Sequence, residues 1–361
     1  MSFEILNDMK IIFDGYWWNR GPFSNRTVLV NLINEWGRLF PEDQLTVVVP
    51  GKKYSRKNIS KIELIELPWL PHPLFNLIYI WSLSLNKNYD YVLVQNFGIF
   101  SSKSLVFIHD VIFLSRKDWF SWIENIYFSF IPRIAKAKRV QIITSSKTES
   151  RRIETFIRNK KVTSVGLGVR LSLTEAESKR PPSLLDTLGK FYFTVGRDNP
   201  RKNLRRLIEA HTLMIKEKSD APILVIVGLT LKQLRNLGIE NESKSSIVLL
   251  ANISDSELRW LYENGQFYVY LSLDEGYGLP IIEADYFNIP QLISDIQVFR
   301  EISQKDVVFA NPLSVENIKF NLIELSKKHR NNLSENQKIN NSWTPVIHEI
   351  RLCFQNRSSK F

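Results

Sequence analysis

The chain alternates short apolar runs with amphipathic stretches, and this pattern constrains its fold more than any other feature. The stretch at 25–40 has apolar residues at helical spacing and lies between the first two of these runs. In the first half the apolar runs lie at 9–15, 44–50, 89–96, 103–110 and 140–146. Strands that alternate with helices form a parallel sheet covered by helices. Ligands of such sheets bind at the carboxyl ends of the strands.

The alternation stops at residues 171–190, a polar segment with a Pro-Pro pair, and then starts again. The polar segment is typical of a linker or boundary loop. After it, strands are predicted at 190–197, 222–228, 245–252, 267–273, 290–295 and 306–311, and helices at 203–218, 254–265 and 279–288. The pattern therefore predicts two Rossmann-like α/β domains, one at 1–175 and one at 176–340, followed by an amphipathic helix at 342–356.

Length and composition agree with two soluble domains. A chain of 361 residues with 44% hydrophobic and 24% charged residues has enough apolar material for two cores. Its single cysteine, Cys353, excludes an internal disulfide and a Cys-rich metal site. The first ten residues carry charges where a signal peptide has its apolar core, and no apolar run is long enough to span a membrane. These features predict a cytoplasmic protein.

The net charge of +11 is unevenly distributed. Residues 133–180 contain 13 Lys and Arg against 4 Asp and Glu, and the segment just before them, 119–132, is rich in aromatic residues. Aromatic residues beside a basic cluster are typical of a peripheral anchor on an anionic membrane face. Buried helix packing and a simple solvated surface explain the same pattern and stay open. No nucleic-acid module has its signature here, so no nucleic-acid partner is predicted.

The segment 272–295 combines acidic residues with a tight turn. Glu275 and Glu283 have seven residues between them, and Gly276, Gly278 and Pro280 follow the first of them. Glycine permits a sharp turn and a close ligand, and proline suits the first turn of a helix. The amino end of that helix offers unpaired N–H groups and a positive dipole end to a phosphate. The segment therefore predicts a diphosphate site with one carboxylate on each side, which fits a nucleotide sugar.

This segment, EGYGLPIIEADYFNIPQLISD, resembles the signature of the retaining glycosyltransferases of family 4. Their pattern is E-G-F-G-L-P-x-x-E-A, followed by a short helix and G-x-P-x-I-x-S. Tyr277 replaces the more common Phe, and Asn288 stands where Gly is usual. The resemblance implies the GT-B fold, in which two Rossmann-like domains face each other across a cleft. It also implies that the final helix, 342–356, packs back on the first domain.

A second stretch, FTVGRDNPRKNLRRLIEAH at 193–211, is similar to another segment of that family. The resemblance implies that Arg197 and Lys202 contact the diphosphate. Fixed cations there would stabilise the charge that develops on the leaving group. The chain has no Asp-x-Asp motif, which metal-dependent transferases of the GT-A fold usually need. We therefore expect no metal and no cofactor besides the donor.

The first domain diverges more from the family. In FDGYWWNRGPF, Gly21 is the candidate for a glycine-rich loop that approaches the donor, although a turn before a helix explains it equally well. FIHDVIF resembles the family's I-H-D segment, which implies that His109 lies in the active site near the sugar. Asp110 would orient His109, cap the next helix, or do both.

Together these assignments predict a retaining glycosyltransferase. Glu283 would bind the ribose, the backbone amides of Gly276, Tyr277, Gly278 and Leu279 the diphosphate, and Glu275 the hydroxyls of the sugar. The predicted reaction moves a hexose, with mannose or rhamnose favoured, to a glycan or polyprenyl-diphosphate-linked acceptor in O-antigen or capsule synthesis. A nucleotide-sugar epimerase or hydrolase and a non-enzymatic module that binds a membrane or a polyanion stay open as alternatives.

Overall fold

A computed structural model of the chain describes residues 8–19, 21–51, 55–59, 62–131, 140–158, 161–184, 189–218, 220–237, 246–304, 306–328 and 341–358. The chain divides into two compact units. The first comprises residues 1–168 and 342–361, and the second comprises residues 169–341. Part of the predicted basic patch, at 133–139 and 159–160, lies outside the described residues.

The first unit is built on an eight-stranded sheet with the order β3-β4-β2-β1-β5-β6-β7-β8. Among the strand pairs in the described part of this sheet, β3–β4 is antiparallel and the others are parallel. The strands are β1 (Lys10–Asp14), β2 (Gln44–Gly51), β3 (Ser55–Ile59), β4 (Ile62–Pro68), β5 (Tyr91–Gln95), β6 (Ser104–Ile108), β7 (Gln141–Thr144) and β8 (Val162–Ser164). The central strands are almost wholly apolar because helices cover both faces of a parallel sheet.

The helices of the first unit follow the predicted alternation, with additions between β4 and β5 and after β6. A π-helical segment, Asn76–Ile80, joins α2 directly to α3. The helices are α1 (Phe23–Leu39), α2 (His72–Phe75), α3 (Trp81–Ser84), α4 (Ile112–Ser115), α5 (Trp122–Phe128) and α6 (Lys147–Ile157). Single π-turns within α-helices are frequent at functional sites.

The second unit has a six-stranded, wholly parallel sheet with the order β11-β10-β9-β12-β13-β14. Its strands are β9 (Phe191–Val195), β10 (Ile223–Val227), β11 (Ile247–Leu250), β12 (Tyr268–Tyr270), β13 (Gln291–Ser294) and β14 (Val307–Ala310). Its helices are α7 (Leu171–Glu175), α8 (Leu204–Glu217), α9 (Leu231–Asn236), α10 (Asp255–Asn264), α11 (Leu279–Tyr286), α12 (Gln297–Ile302) and α13 (Val315–Ser326). A capping box between Ser254 and Glu257 starts α10.

The polar segment 171–190 is not the boundary between the units. The chain passes into the second unit at Val169, before the predicted boundary at residue 175. Leu173 of α7 is fully buried, and Arg259 of α10 donates hydrogen bonds to the carbonyls of Thr174 and Ala176. Prolines and charges made this segment resemble a linker. Its start nevertheless belongs to the second unit, because Leu173 is buried there and the carbonyls of Thr174 and Ala176 bond to α10.

The final helix, α14 (Trp343–Ser358), belongs to the first unit and contacts α1. Phe354 stacks on Tyr91 with ring centroids 4.6 Å apart and also meets Trp36. Buried Arg351 pairs with buried Asp43, which precedes β2. Among the described residues, no helix combines the length and the apolar character needed to cross a bilayer.

Candidate functional site

Glu275 is the centre of a cluster of charges just after β12 in the second unit. One carboxylate oxygen, Oε1, accepts hydrogen bonds from Lys202 Nζ at 2.6 Å and from the Tyr270 hydroxyl at 2.9 Å. The other, Oε2, lies 3.4 Å from Arg201 Nη1. Burial alone would raise the pKa of Glu275, but Lys202 and Arg201 lower it to about 2. Glu275 is therefore a buried, permanently charged carboxylate at neutral pH.

Both cations come from one short turn, the 3-10 segment Pro200–Lys202 between β9 and α8. The Leu273 amide donates to the Arg201 carbonyl at 2.8 Å, which ties this turn to the chain that follows β12. Asn203 ends the turn in the left-handed conformation (φ 55°), which asparagine tolerates better than most residues. Lys202 thus reaches Glu275 as part of a rigid, hydrogen-bonded arrangement.

Arg201 was missed by the sequence analysis, which assigned the second cation to Arg197. Arg197 follows β9, and its side chain is exposed. Within the described part of the chain it makes no ion pair, so its contact with a diphosphate stays a prediction. The signal that could have identified Arg201 is its position beside Lys202 in the same turn.

The predicted turn between β12 and α11 depends on Gly278. Gly278 has φ 131°, a conformation that side chains with a Cβ rarely adopt. A Cβ at this position would also lie 3.1 Å from Phe299 and Ile302 of α12. Pro280 occupies the first turn of α11, as predicted. The loop of Gly276, Tyr277 and Gly278 and the helix start at Leu279 thus form the amino end of α11 next to Glu275, and their contacts with phosphate stay predictions.

Glu283 is buried in a second network on α11. Its Oε1 accepts from Arg170 Nε at 3.2 Å, and its Oε2 accepts from the Tyr262 hydroxyl at 3.0 Å. Arg170 also pairs with Asp255 at 2.6 Å. Both oxygens of Glu283 are therefore already engaged, so a ribose hydroxyl would have to share or displace one of these partners. Its predicted role in ribose binding is untested.

His109 directly follows β6 in the first unit, at the carboxyl edge of that sheet. Its ring is half-buried, and its Nε2 lies 2.7 Å from Gln95 Oε1 at the end of β5. Burial lowers the pKa of His109 to about 4, so the ring is neutral at physiological pH. Asp110 accepts a hydrogen bond from the Ile112 amide at 3.3 Å, which is a cap-like contact at the start of α4.

Gly21 lies just before α1 with φ 98°. A Cβ on Gly21 would lie 1.9 Å from an atom of the Trp17 ring, so close packing against Trp17 already requires glycine here. Its predicted approach to a donor is untested. Among the described residues, no group of three His, Cys, Asp or Glu side chains could hold a metal ion.

Comparison with known proteins finds a family match to the second unit. Residues 175–340 match the family model of glycosyl transferases group 1. This group 1 segment contains Glu275, Glu283, Lys202 and Arg201, and it corresponds to most of the second unit. The match supports the resemblance found in the sequence, without testing the assignment to family 4 or the retaining stereochemistry.

Curated relatives are similar over part of their length. The chain is 29% identical over 197 residues to the O-antigen chain mannosyltransferase RfbU of Salmonella typhimurium, covering 53% of this chain and 52% of that protein. It is 29% identical over 136 residues to O-antigen chain mannosyltransferase B of Escherichia coli, covering 36% and 35% of the two chains. The chain thus spans about half the length, or less, of these relatives.

Solved structures are similar over nearly the whole chain. The sucrose-phosphate synthase of Thermosynechococcus elongatus superimposes with a TM-score of 0.70 at 12% identity, covering 98% of this chain and 100% of that one. WaaG, a glycosyltransferase involved in lipopolysaccharide biosynthesis, superimposes with a TM-score of 0.64 at 14% identity over 94% of each chain. These similarities confirm the predicted fold class, GT-B with two Rossmann-like α/β domains.

Proposed function

We propose that this protein is a retaining, metal-independent glycosyltransferase that moves a hexose from a nucleotide sugar to a glycan acceptor in O-antigen synthesis. The observation that carries the proposal is the Glu275 cluster. It places a charged carboxylate, two cations and the amino end of α11 together at the carboxyl edge of the second sheet. Ligands bind at this edge of open parallel sheets, and the group 1 segment contains every member of the cluster.

Lys202 and Arg201 supply positive charge that stabilises the departing diphosphate. Lys202 and Arg201 are held by Glu275 before any ligand arrives, so little reorganisation is required when phosphate oxygens approach. The acceptor hydroxyl attacks the anomeric carbon as the bond to the diphosphate breaks, and the electron pair of that bond leaves with the phosphate. The leaving phosphate takes the hydroxyl proton, and attack from the face that it leaves retains the configuration. Glu275 orients the hydroxyls of the sugar.

Mannose is the preferred sugar in this proposal. The support comes from the curated relatives, which are named O-antigen mannosyltransferases. A glycan of the O-antigen is the proposed acceptor for the same reason. Because the chain covers only part of these relatives, donor and acceptor both require direct tests.

A thermal-shift screen with UDP, GDP, dTDP, ADP and CMP, with and without magnesium, tests the donor site first. A ligand that binds only the folded state raises the melting temperature. We expect one nucleoside diphosphate to do so equally with and without magnesium. Incubation of the matching mannosyl donor with and without a glycan acceptor then separates transfer from epimerisation or hydrolysis, and NMR of the product shows whether the anomeric configuration is retained. Absence of any shift would contradict the proposed donor site.

Lys202→Met is expected to weaken binding of the nucleoside diphosphate by about 10-fold or more while leaving nucleoside affinity unchanged. A hydrogen bond to a charged group contributes about 1.5–3 kcal/mol, and only the diphosphate can receive one from Lys202. Isothermal titration with both ligands measures the difference. Arg205→Met removes an equal charge from the exposed face of α8 and serves as the control. If Lys202→Met reduces the affinities for nucleoside and nucleoside diphosphate equally, Lys202 does not belong to the phosphate site.

Peripheral binding to an anionic membrane is a further part of the proposed function. Trp122, Ile123, Ile126 and Phe130, in and just after α5, are exposed, with Trp122 72% accessible. A second set of exposed apolar side chains lies along the segment from α2 to the residue after α3. These side chains are spaced three or four residues apart, as on one face of a helix: Leu74, Ile78, Trp81 and Leu85. Residues 67–86 contain no Asp, Glu, Lys or Arg, while the chain as a whole has a net charge of +11. Apolar side chains combined with excess positive charge match the chemistry of an anionic lipid surface.

Ile126→Glu is expected to reduce sedimentation with vesicles of phosphatidylglycerol and phosphatidylethanolamine. Burying a carboxylate in the membrane interface costs free energy of membrane binding, and its negative charge repels anionic lipid. Leu313→Glu places the same change on an exposed leucine of the second unit and should have little effect. If wild-type protein does not sediment, or both variants sediment equally with it, the membrane proposal is wrong.

A further inference from the structure

A buried carboxylate, Asp14, organises the carboxyl edge of the first sheet. Asp14 and His72 are both fully buried, and His72 Nε2 lies 2.7 Å from Asp14 Oδ2. The same oxygen accepts from Asn76 Nδ2 at 3.0 Å and from the Gln95 amide at 3.1 Å. This single carboxylate therefore joins β1, the helical segment after β4, and β5. Burying a charge in this way is costly unless it is fully hydrogen-bonded, and here three donors meet one oxygen.

Gln95 is held by Asp14 at two points. Its backbone N–H donates to the Asp14 side chain, and its side-chain Nε2 donates to the Asp14 carbonyl at 3.3 Å. The opposite orientation of the amide would bring two acceptor oxygens together at that position. The amide nitrogen therefore faces Asp14, and the amide oxygen, Oε1, faces His109 Nε2 at 2.7 Å.

The amide oxygen of Gln95 can only accept a hydrogen bond, so His109 Nε2 must carry the proton. The ring is neutral at physiological pH, because burial lowers the pKa of His109 to about 4. A neutral imidazole has one N–H, so His109 Nδ1 carries the lone pair. In the part of the chain that the structure describes, no protein group bonds to Nδ1. His109 thus presents one free hydrogen-bond acceptor at the sheet edge.

We propose that Gln95, oriented by Asp14, is a positioning residue that fixes His109 as the Nε2–H tautomer, so that Nδ1 accepts a hydrogen bond from a substrate hydroxyl. This inference rests on the proposed glycosyltransferase function for the identity of the hydroxyl, which belongs to a sugar. The tautomer itself is independent of that function. Second groups that orient a histidine commonly determine which ring nitrogen is available for chemistry.

The tautomer can be read directly by NMR of the full-length protein with ¹⁵N-labelled histidine. The chain has five histidines, so long-range ¹H–¹⁵N spectra are simple, and His109→Asn assigns the His109 signals by their loss. We expect His109 to show protonated Nε2 and unprotonated Nδ1. His211 is an internal reference, because its Nδ1 faces the Tyr192 hydroxyl at 2.7 Å and its Nε2 faces the Ser246 carbonyl at 3.2 Å. A protonated Nδ1 in His109 would overturn the inference.

Gln95→Leu provides the second measurement. It removes the acceptor, so the His109 ¹⁵N shifts should move toward a mixture of tautomers. The shifts of His348, which lies on α14 of the first unit with its ring against Phe40, should stay unchanged as evidence that this unit is intact. The kcat for transfer should fall by about 10-fold or more, with KM for the donor less affected. Unchanged His109 shifts in Gln95→Leu would contradict the positioning role. If His109 has the expected tautomer but the protein transfers no sugar, the proposed function fails and the assignment of Gln95 stands.

Gln95→Asn keeps the amide but shortens the side chain, so it cannot bridge the same distance. We expect its His109 spectrum to resemble that of Gln95→Leu. A wild-type spectrum in Gln95→Asn would show that an amide at this position is sufficient without the geometry seen here, and would also overturn the inference.

Discussion

Glu275→Gln is expected to reduce transfer by about 100-fold or more, with the second unit still folded. The carboxylate is charged, because Lys202 and Arg201 outweigh the effect of burial and keep its pKa at about 2. Glutamine keeps the shape and one accepting oxygen but removes the negative charge that orients both cations. Loss of a preorganised electrostatic contact typically costs about 100- to 1000-fold in rate. Initial rates of transfer with a mannosyl donor, together with circular dichroism, measure both quantities.

Glu209→Gln is the matched control for that experiment. It makes the same chemical change on the exposed face of α8, where Glu209 forms an i,i+4 ion pair with Arg205. We expect transfer at the wild-type rate. Wild-type activity in Glu275→Gln would refute the assignment of the site. Alanine is the less informative substitution, because besides the charge it removes the accepting oxygen that glutamine keeps for Lys202 and for the Tyr270 hydroxyl.

Asp43→Ala is expected to destabilise the first unit by about 3–5 kcal/mol. Asp43 is buried and accepts from the Met9 amide at 2.9 Å and from Trp36 Nε1 at 2.7 Å. It also pairs with Arg351 of α14, whose guanidinium lies 3.8 Å from the centre of the Phe40 ring. Removing the carboxylate leaves a buried guanidinium without its counter-charge. Urea denaturation of the full-length chain, followed by circular dichroism, measures the loss.

Two further variants make this result specific. Asp118→Ala breaks an ion pair with Arg116 in which both side chains are exposed, so a much smaller loss is expected. Asp43→Ala combined with Arg351→Met removes the stranded charge and should recover a large part of the lost stability. If Asp43→Ala alone unfolds at the wild-type urea concentration, α14 is not held to the first unit by this pair.

The structure also shows how the departures from the family motif are accommodated. Asn288, which replaces the usual glycine, adopts φ 48°, a left-handed conformation that asparagine tolerates. The turn between α11 and β13 is therefore kept without glycine.

Sequence periodicity alone was sufficient for most of the fold. Apolar runs at strand length and apolar residues at helical spacing are local properties, and they placed β1, β2, β9 and β10 and the helices α1, α8 and α10 close to their observed bounds. The turn at Gly278 and the start of α11 could also be predicted, because glycine and proline have strong conformational preferences of their own. The β3–β4 hairpin and the π-turn after α2 carried no comparable local signal and were missed.

The chemistry of the two sheet edges was decided by tertiary structure. Asp14 and His72 are 58 residues apart, Asp43 and Arg351 are 308 apart, and Arg170 and Glu283 are 113 apart. Which buried charges become partners depends on how strands and helices pack, and no local pattern records that choice. The sequence alone could therefore identify Glu275, Lys202 and His109 as candidates. Only the folded chain showed that Arg201 joins Glu275, that Glu283 is already paired, and that Gln95 orients His109. Burial removes water from these groups, so each buried charge depends on the partner that packing brings to it.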